Sequence, residues 1–121
     1  MKKLNYMEER WKVHVGSYMD NCNMAVIIEC KDGDDVITVN LGNDIGNGSQ
    51  IQPFMAFLDT NNCPHIAEAI EAAGLAKPYI RFGQPVIKQS GYVSYPLYVF
   101  DEKVLREYNS KEVNDYVRSI A

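Results

Sequence analysis

Apolar and polar side chains alternate along Glu9–Tyr18, which is the pattern of a half-buried β-strand. A β-branched run, Met24–Cys30, follows it, and a second run, Val36–Leu41, lies beyond the polar segment Lys31–Asp35. Glycine and aspartate in that polar segment favour a tight turn. We therefore predict a three-stranded antiparallel meander in which Val36–Leu41 is the hairpin partner of Met24–Cys30.

The middle of the chain changes from loop to strand to helix. Gly42–Gln50 is rich in glycine and asparagine, which predicts a loop. Ile51–Asp59 has the composition of a fourth strand, and Pro53 near its start suits an edge because proline cannot donate to a ladder. An alanine-rich segment then predicts a helix with Asn62 as its N-cap and Gly74 at its end.

The C-terminal third combines one strong strand pattern with two helical segments. Leu75–Ile87 is interrupted by proline and glycine and is predicted to be irregular, whereas Gly91–Phe100 is predicted to be a strand. Asp101 is suited to cap a short helix, and Asn109 or Ser110 is suited to cap a second one. Apolar residues at helical spacing follow the second cap.

Length and composition fit a single domain over residues 1–121. The chain has 46% hydrophobic and 23% charged residues, which excludes a disordered acidic tail. No apolar run approaches the roughly 20 residues that cross a bilayer, and the N-terminal lysines precede no apolar signal segment. Three cysteines without Cys-x-x-Cys spacing favour a reducing compartment. We expect a soluble cytoplasmic α+β domain: a mainly antiparallel four- to five-stranded sheet with two or three helices packed on one side.

Charge is distributed unevenly around the net value of −4. The segment 20–71 holds nine acids and one base, whereas 72–100 holds three bases and no acid. An acidic middle argues against duplex DNA as a partner, because DNA binding depends on lysine and arginine. It is compatible with docking on a basic protein surface. The alternative is that these acids occupy solvated turns.

Two segments resemble a family of small uncharacterised proteins carried by conjugative transposons and phages of gut anaerobic bacteria. They are Phe57–Pro64, with Asp-Thr-Asn-Asn-Cys-Pro, and Ser90–Asp101, with Gly-Tyr-Val-Ser-Tyr-Pro-Leu-Tyr-Val-Phe. The resemblance covers residues 24–105 and implies an origin in a mobile genetic element, with no known reaction. By analogy of context, such proteins bind and inhibit host machinery, including CRISPR effectors.

One segment, Asp59–His65, concentrates reactive side chains. Cys63 is predicted to lie at a helix N-terminus, where the helix dipole favours thiolate, and His65 is two residues away. This predicts a thiol-dependent enzyme or small-molecule binder with a depressed Cys63 pKa and Asp59 as a supporting group. The alternative is that Asp59 and Asn62 close a strand-to-helix turn while Cys63 packs.

A second alternative rests on aromatic residues interleaved with bases, which can stack single-stranded nucleic acid. The residues concerned are Tyr79, Arg81, Phe82 and Lys88. Strand alternation also places Tyr92 and Tyr98 on one face of their strand, where they either pack in the core or form a protein interface.

No cofactor is expected, because cysteines and histidines lack metal-ligand spacing and the glycine-rich loop lacks the phosphate-binding lysine. Asp32–Asp35 does not match a calcium-binding EF-hand loop. The leading hypothesis is a non-enzymatic protein-binding protein, of anti-CRISPR type, that docks an acidic patch on a basic partner. The predicted partner-binding residues are Asp32, Asp34, Asp35, Asp44, Tyr92 and Tyr98.

Overall fold

A computed structural model describes all of residues 1–121 and contains thirteen strands and two helices. In chain order the elements are β1 (Leu4–Tyr6), β2 (Glu9–Ser17), β3 (Met24–Cys30), β4 (Gly33–Val36), β5 (Thr38–Val39), β6 (Asp44–Gly46), β7 (Ser49–Gln50), β8 (Met55–Leu58), α1 (Ile66–Ala72), β9 (Ala76–Pro78), β10 (Ile80–Arg81), β11 (Gln84–Pro85), β12 (Ile87–Ser90), β13 (Val93–Phe100) and α2 (Glu102–Ile120).

The strands form several sheets. The first sheet has the antiparallel order β1-β2-β3-β4, and the second has the order β12-β13-β8-β5, with β9 also paired to β13. Two short hairpins, β6–β7 and β10–β11, complete the strand content. The predicted architecture, one four- to five-stranded sheet with two or three helices on one side, is therefore wrong, because the strands divide among several sheets and only two helices form.

The division begins at the predicted strand Val36–Leu41. A two-residue turn pairs Cys30 directly with Gly33, so the returning strand starts earlier than predicted and ends at Val36. Thr38 then pairs with Leu58 of the second sheet. Ile37, which is 1% exposed, lies between the two pairings, and its burial explains why one apolar run serves both sheets.

Further differences lie in the middle of the chain. α1 starts after His65, which has a left-handed φ of 66° and provides no side-chain cap, so the predicted N-cap at Asn62 is wrong. The segment Leu75–Ile87, predicted to be irregular, contains β9, β10 and β11. Tyr79 and Val86 flank the β10–β11 hairpin, and the Val86 amide donates to the Tyr79 carbonyl. Both residues also bond to Leu97 of β13: the Tyr79 amide donates to the Leu97 carbonyl, and the Leu97 amide donates to the Val86 carbonyl.

The two predicted caps in the C-terminal segment are confirmed. Asp101 precedes α2 and its side chain accepts from the Val104 amide at 3.1 Å. Asn109 interrupts the helix with φ −162° and ψ 79°, and its Oδ1 accepts from the Glu112 amide at 3.1 Å. α2 is therefore kinked at Asn109 by a side chain that caps the following turn.

A cluster of 22 buried residues joins the first sheet, both helices and part of the second sheet. A smaller cluster of Ile45, Phe57, Val86 and Leu97 supports the two short hairpins on the second sheet. Neither helix has the combination of length and apolar composition that crossing a bilayer requires.

Candidate functional site

Three of the predicted carboxylates lie together on the β3–β4 hairpin. Asp32 is in the turn, and Asp34 and Asp35 follow in β4, whose four residues are all exposed. None of the ion pairs in the chain includes these carboxylates. We call Asp32, Asp34 and Asp35 the acidic hairpin.

β4 is the last strand of the first sheet, so one of its edges has no neighbouring strand. The Ile37 amide donates to the Val26 carbonyl at 3.0 Å, which sets the alternation of ladder bonds along β4. That alternation directs the N–H and C=O of Asp34 away from β3. The next outward carbonyl, that of Val36, accepts from the Cys63 thiol at 3.7 Å, so the open edge is centred on Asp34.

Negative charge extends from the acidic hairpin in two directions. Glu29 lies directly opposite Asp34 in the β3–β4 register. Burial raises the pKa of the Cys63 thiol, and the charges of Asp59 and then Asp35 raise it further, so both carboxylates act on one small region beside the hairpin. The sheet therefore has an acidic border along β4 and the adjoining turn.

The structure separates the other predicted partner-binding residues from the acidic hairpin. Asp44 lies in the β6–β7 hairpin, where its Oδ1 accepts from the Gly46 amide at 2.8 Å. Tyr98 is 5% exposed and donates its hydroxyl to Glu71 at 2.7 Å, and burial raises its pKa. Tyr98 therefore belongs to the core. Tyr92 is fully exposed in the turn between β12 and β13.

The reactive pair of the thiol hypothesis does not form. Cys63 is 5% exposed, and burial, followed by the charges of Asp59 and Asp35, raises its pKa to about 11. His65 is largely exposed, and its Nδ1 lies 3.0 Å from a carboxylate oxygen of Glu68. The depressed Cys63 pKa predicted from the sequence is therefore wrong, because the thiol packs in the core cluster instead of opening at the helix start.

Asp59 closes the strand-to-helix turn, as the alternative to the thiol hypothesis predicts. Its carboxylate accepts from the Asn62 amide at 3.0 Å and from Asn62 Nδ2 at 2.9 Å. These bonds close the turn that follows β8.

Two bases of the predicted nucleic-acid site, Arg81 and Lys88, bind the backbone in and just before the β6–β7 hairpin. The Arg81 guanidinium donates to the carbonyls of Ile45 and Gly46, at 2.8 and 3.2 Å. Lys88 Nζ donates to the carbonyls of Leu41 and Asp44, at 2.7 and 2.8 Å. The donors of both bases are thus directed at backbone oxygens of the same chain. Among the four residues predicted to bind nucleic acid, only Phe82 is exposed, whereas Tyr79, Arg81 and Lys88 are partly buried.

Sequence reasoning missed a cluster built around His14. Its Nε2 lies 2.7 Å from Glu29 Oε1, and its Nδ1 lies 3.1 Å from Glu112 Oε2. The hydrogen bonds to Glu29 and then Glu112 raise the His14 pKa. The carboxylates engage opposite ring nitrogens, so they do not converge on one metal ion, and no group of three such side chains is placed to hold one. Glu112 is 98 residues from His14, and no local signal in the sequence links them.

A family model described as "Domain of unknown function (DUF4313)" matches residues 12–120. The match covers both sheets and both helices apart from β1 and the first residues of β2. No curated protein and no solved structure matches the chain.

Proposed function

The chain belongs to the DUF4313 family of domains of unknown function, and from that premise we propose that it is a non-enzymatic protein-binding protein. The acidic hairpin docks on a basic surface of the partner. One observation carries the proposal: three exposed carboxylates without ion pairs share a hairpin with an open strand edge.

Charge supplies the first part of the recognition. Unpaired carboxylates close together produce a negative potential that accelerates the approach of a basic protein and orients it. Other acids of the chain are already used: Glu102, Glu107 and Asp115 are ion-paired with bases of the same chain. The acidic hairpin therefore holds free charge that a partner can neutralise.

The open edge supplies the second part. The outward N–H and C=O of Asp34 can pair with an extended segment of the partner, as in β-strand addition. Lysine or arginine side chains on that segment would then lie beside Asp32, Asp34 and Glu29. The partner feature that fits this edge is thus a short extended segment rich in lysine or arginine.

Charged residues on an edge strand also discourage edge-to-edge aggregation. This protective role and partner binding differ in an observable way. Neutralising the hairpin would increase self-association if the charges only protect the edge, whereas it would release a bound partner if they bind one.

The proposal extends to the genetic origin of the protein, the kind of inhibitor it is and its cellular compartment. The likeness of Phe57–Pro64 and Ser90–Asp101 to proteins of conjugative transposons and phages supports an origin in a mobile genetic element. An inhibitor of host defence, of anti-CRISPR type, fits this setting because such inhibitors act by occluding a protein surface. Three free thiols support the cytoplasm as the compartment.

The test is recovery of partners from a host lysate with the wild-type chain and with Asp32→Asn/Asp34→Asn/Asp35→Asn. A matched control, Glu8→Gln/Asp44→Asn/Glu68→Gln, removes three charges outside the hairpin. We expect the hairpin variant to lose a partner that the control retains, and the wild-type interaction to weaken with salt. Equal recovery by all three proteins would overturn the electrostatic docking.

A further inference from the structure

The basic side chains of the chain divide into engaged and free groups. Four form ion pairs, namely Lys2, Arg106, Lys111 and Arg118, and Arg81 and Lys88 donate to backbone carbonyls. Six of the twelve therefore have neither contact: Lys3, Arg10, Lys12, Lys31, Lys77 and Lys103. The first four of these line a single open groove of about 490 Å³ on the first sheet.

Strand register and the β3–β4 turn bring these four bases together. Asn5 pairs with Arg10, and Lys12 pairs with Glu29. Continuing the β1–β2 register beyond Leu4 sets Lys3 opposite Lys12, and Lys31 follows β3 in the two-residue turn and lines the same groove as Arg10. Lys3, Arg10 and Lys12 alternate with the core residues Leu4 and Trp11, so they lie on the exposed face of the sheet. Cross-strand and along-strand spacings place the α-carbons of these three within roughly 5 by 7 Å.

Three carboxylates, Glu8, Glu9 and Glu29, line this basic groove together with the four bases and limit what it can hold. Glu29 and Asp34 continue the row of Lys3 and Lys12 across the sheet, and Glu29 is engaged by His14 at 2.7 Å. Glu8 lies in the β1–β2 turn and Glu9 begins β2. An extended polyanion would be repelled by these carboxylates, whereas a short one can contact the bases alone.

We propose that the basic groove binds a compact polyphosphate group of two or three linked phosphates. Its closely spaced negative charges match four cations that form no ion pair within the chain. An adjoining groove of about 440 Å³ shares Lys3 and Arg10 and is walled by the small side chains of Ala69, Ala72 and Ala73. This adjoining groove has room for the organic part of a ligand. The candidate ligands are therefore a nucleoside triphosphate, which would fill both grooves, and inorganic triphosphate, which would fill the basic groove alone.

The test is calorimetric titration of the full chain with inorganic triphosphate and, separately, with ATP, at low ionic strength. Two variants, Arg10→Gln/Lys12→Gln and Lys3→Gln/Lys31→Gln, each remove two cations from the groove. We expect each to bind about tenfold more weakly or worse, the loss typical of removing charged hydrogen bonds. The matched control, Lys77→Gln/Lys103→Gln, makes the same change of net charge elsewhere and should retain wild-type affinity.

Tighter binding of ATP than of triphosphate supports a contribution from the adjoining groove, and equal binding supports recognition of the phosphates alone. The proposal is overturned by absence of binding to both probes, or by an equal loss in the control variant. It is also overturned if a single-stranded oligonucleotide binds and triphosphate does not displace it. Circular dichroism of each variant verifies the fold, and two independent groove variants keep the test decisive if one is unstable.

Discussion

His14 and Glu112 lie 98 residues apart in the chain, and their side chains meet at 3.1 Å. The same carboxylate accepts from the Val15 amide at 2.8 Å, and Asn109 Nδ2 donates to the Val13 carbonyl at 3.0 Å. β1 pairs only with the first three residues of β2. Beyond that point, two side chains of α2 occupy the positions that a neighbouring strand would otherwise fill.

This arrangement makes stability depend on pH. Hydrogen bonds to Glu29 and Glu112 raise the His14 pKa above 6.5, and the charge of Lys12 acts on Glu29 from the same face. A raised folded-state pKa means that the stabilisation is fully present below about pH 6.5 and is lost as pH rises through the folded value. Thermal unfolding of the wild type should therefore show a falling melting temperature from about pH 6 to pH 8.

The control for that measurement is His14→Gln, which removes the titrating group and should flatten the dependence. The Glu29 pKa is lowered by its bond to His14, so its contribution is lost instead as pH falls through that lowered value. Wild-type stability should then pass through a maximum between the two titrations. A variant that follows the wild-type profile over the same range would contradict the role of His14.

Asn109→Ala tests the joint between α2 and β2. Asn109 is 6% exposed, caps the second part of α2, and bonds to the Val13 carbonyl. Loss of the cap together with an unpaired buried carbonyl should cost about 2 to 4 kcal/mol of unfolding free energy. Urea denaturation measures this value, and Ser110→Ala, at the exposed next position, should change stability by less than about 0.5 kcal/mol. Comparable losses in both variants would contradict the assignment.

The cysteines should differ strongly in reactivity. Cys63 is buried and its pKa is raised to about 11, whereas Cys22 is exposed and Cys30 is intermediate. Iodoacetamide at pH 7.5 should therefore modify Cys22 first and Cys63 last, because the thiolate is the reacting species. Peptide mass spectrometry over time gives the order, with the unfolded chain as the control for intrinsic reactivity. Rapid labelling of Cys63 in the folded chain would restore the thiol hypothesis.

Asp34 offers a direct test of strand addition once a partner has been identified. Asp34→Pro removes the outward N–H without removing a ladder bond to β3, since proline is tolerated at a strand edge. Asp34→Asn removes the same charge and keeps the N–H. We expect Asp34→Pro to bind about tenfold more weakly than Asp34→Asn, reflecting one lost backbone bond and the bulk of the ring. Equal affinities would leave charge as the basis of docking and exclude pairing at this edge.

Local patterns were sufficient where one segment carries its own signal. Alternation located β2, a β-branched run located β3, and a nearly continuous apolar run located β13. The short polar side chains of Asp101 and Asn109 marked helix caps. Each of these rests on side chains within a few residues of one another, so the sequence alone determined them.

Contacts between distant segments decided the rest. The run Val36–Leu41 was divided between two sheets because Ile37 is buried at their junction, and Cys63 was buried by packing that no local pattern specifies. The same holds for the His14 cluster and for the four bases that line one groove of the first sheet. The sequence determined the long strands β2, β3 and β13 and the caps of α2. Tertiary structure decided the short strands β6, β7, β9, β10 and β11 and which charges meet, because pairing across a sheet depends on register between segments far apart in the chain.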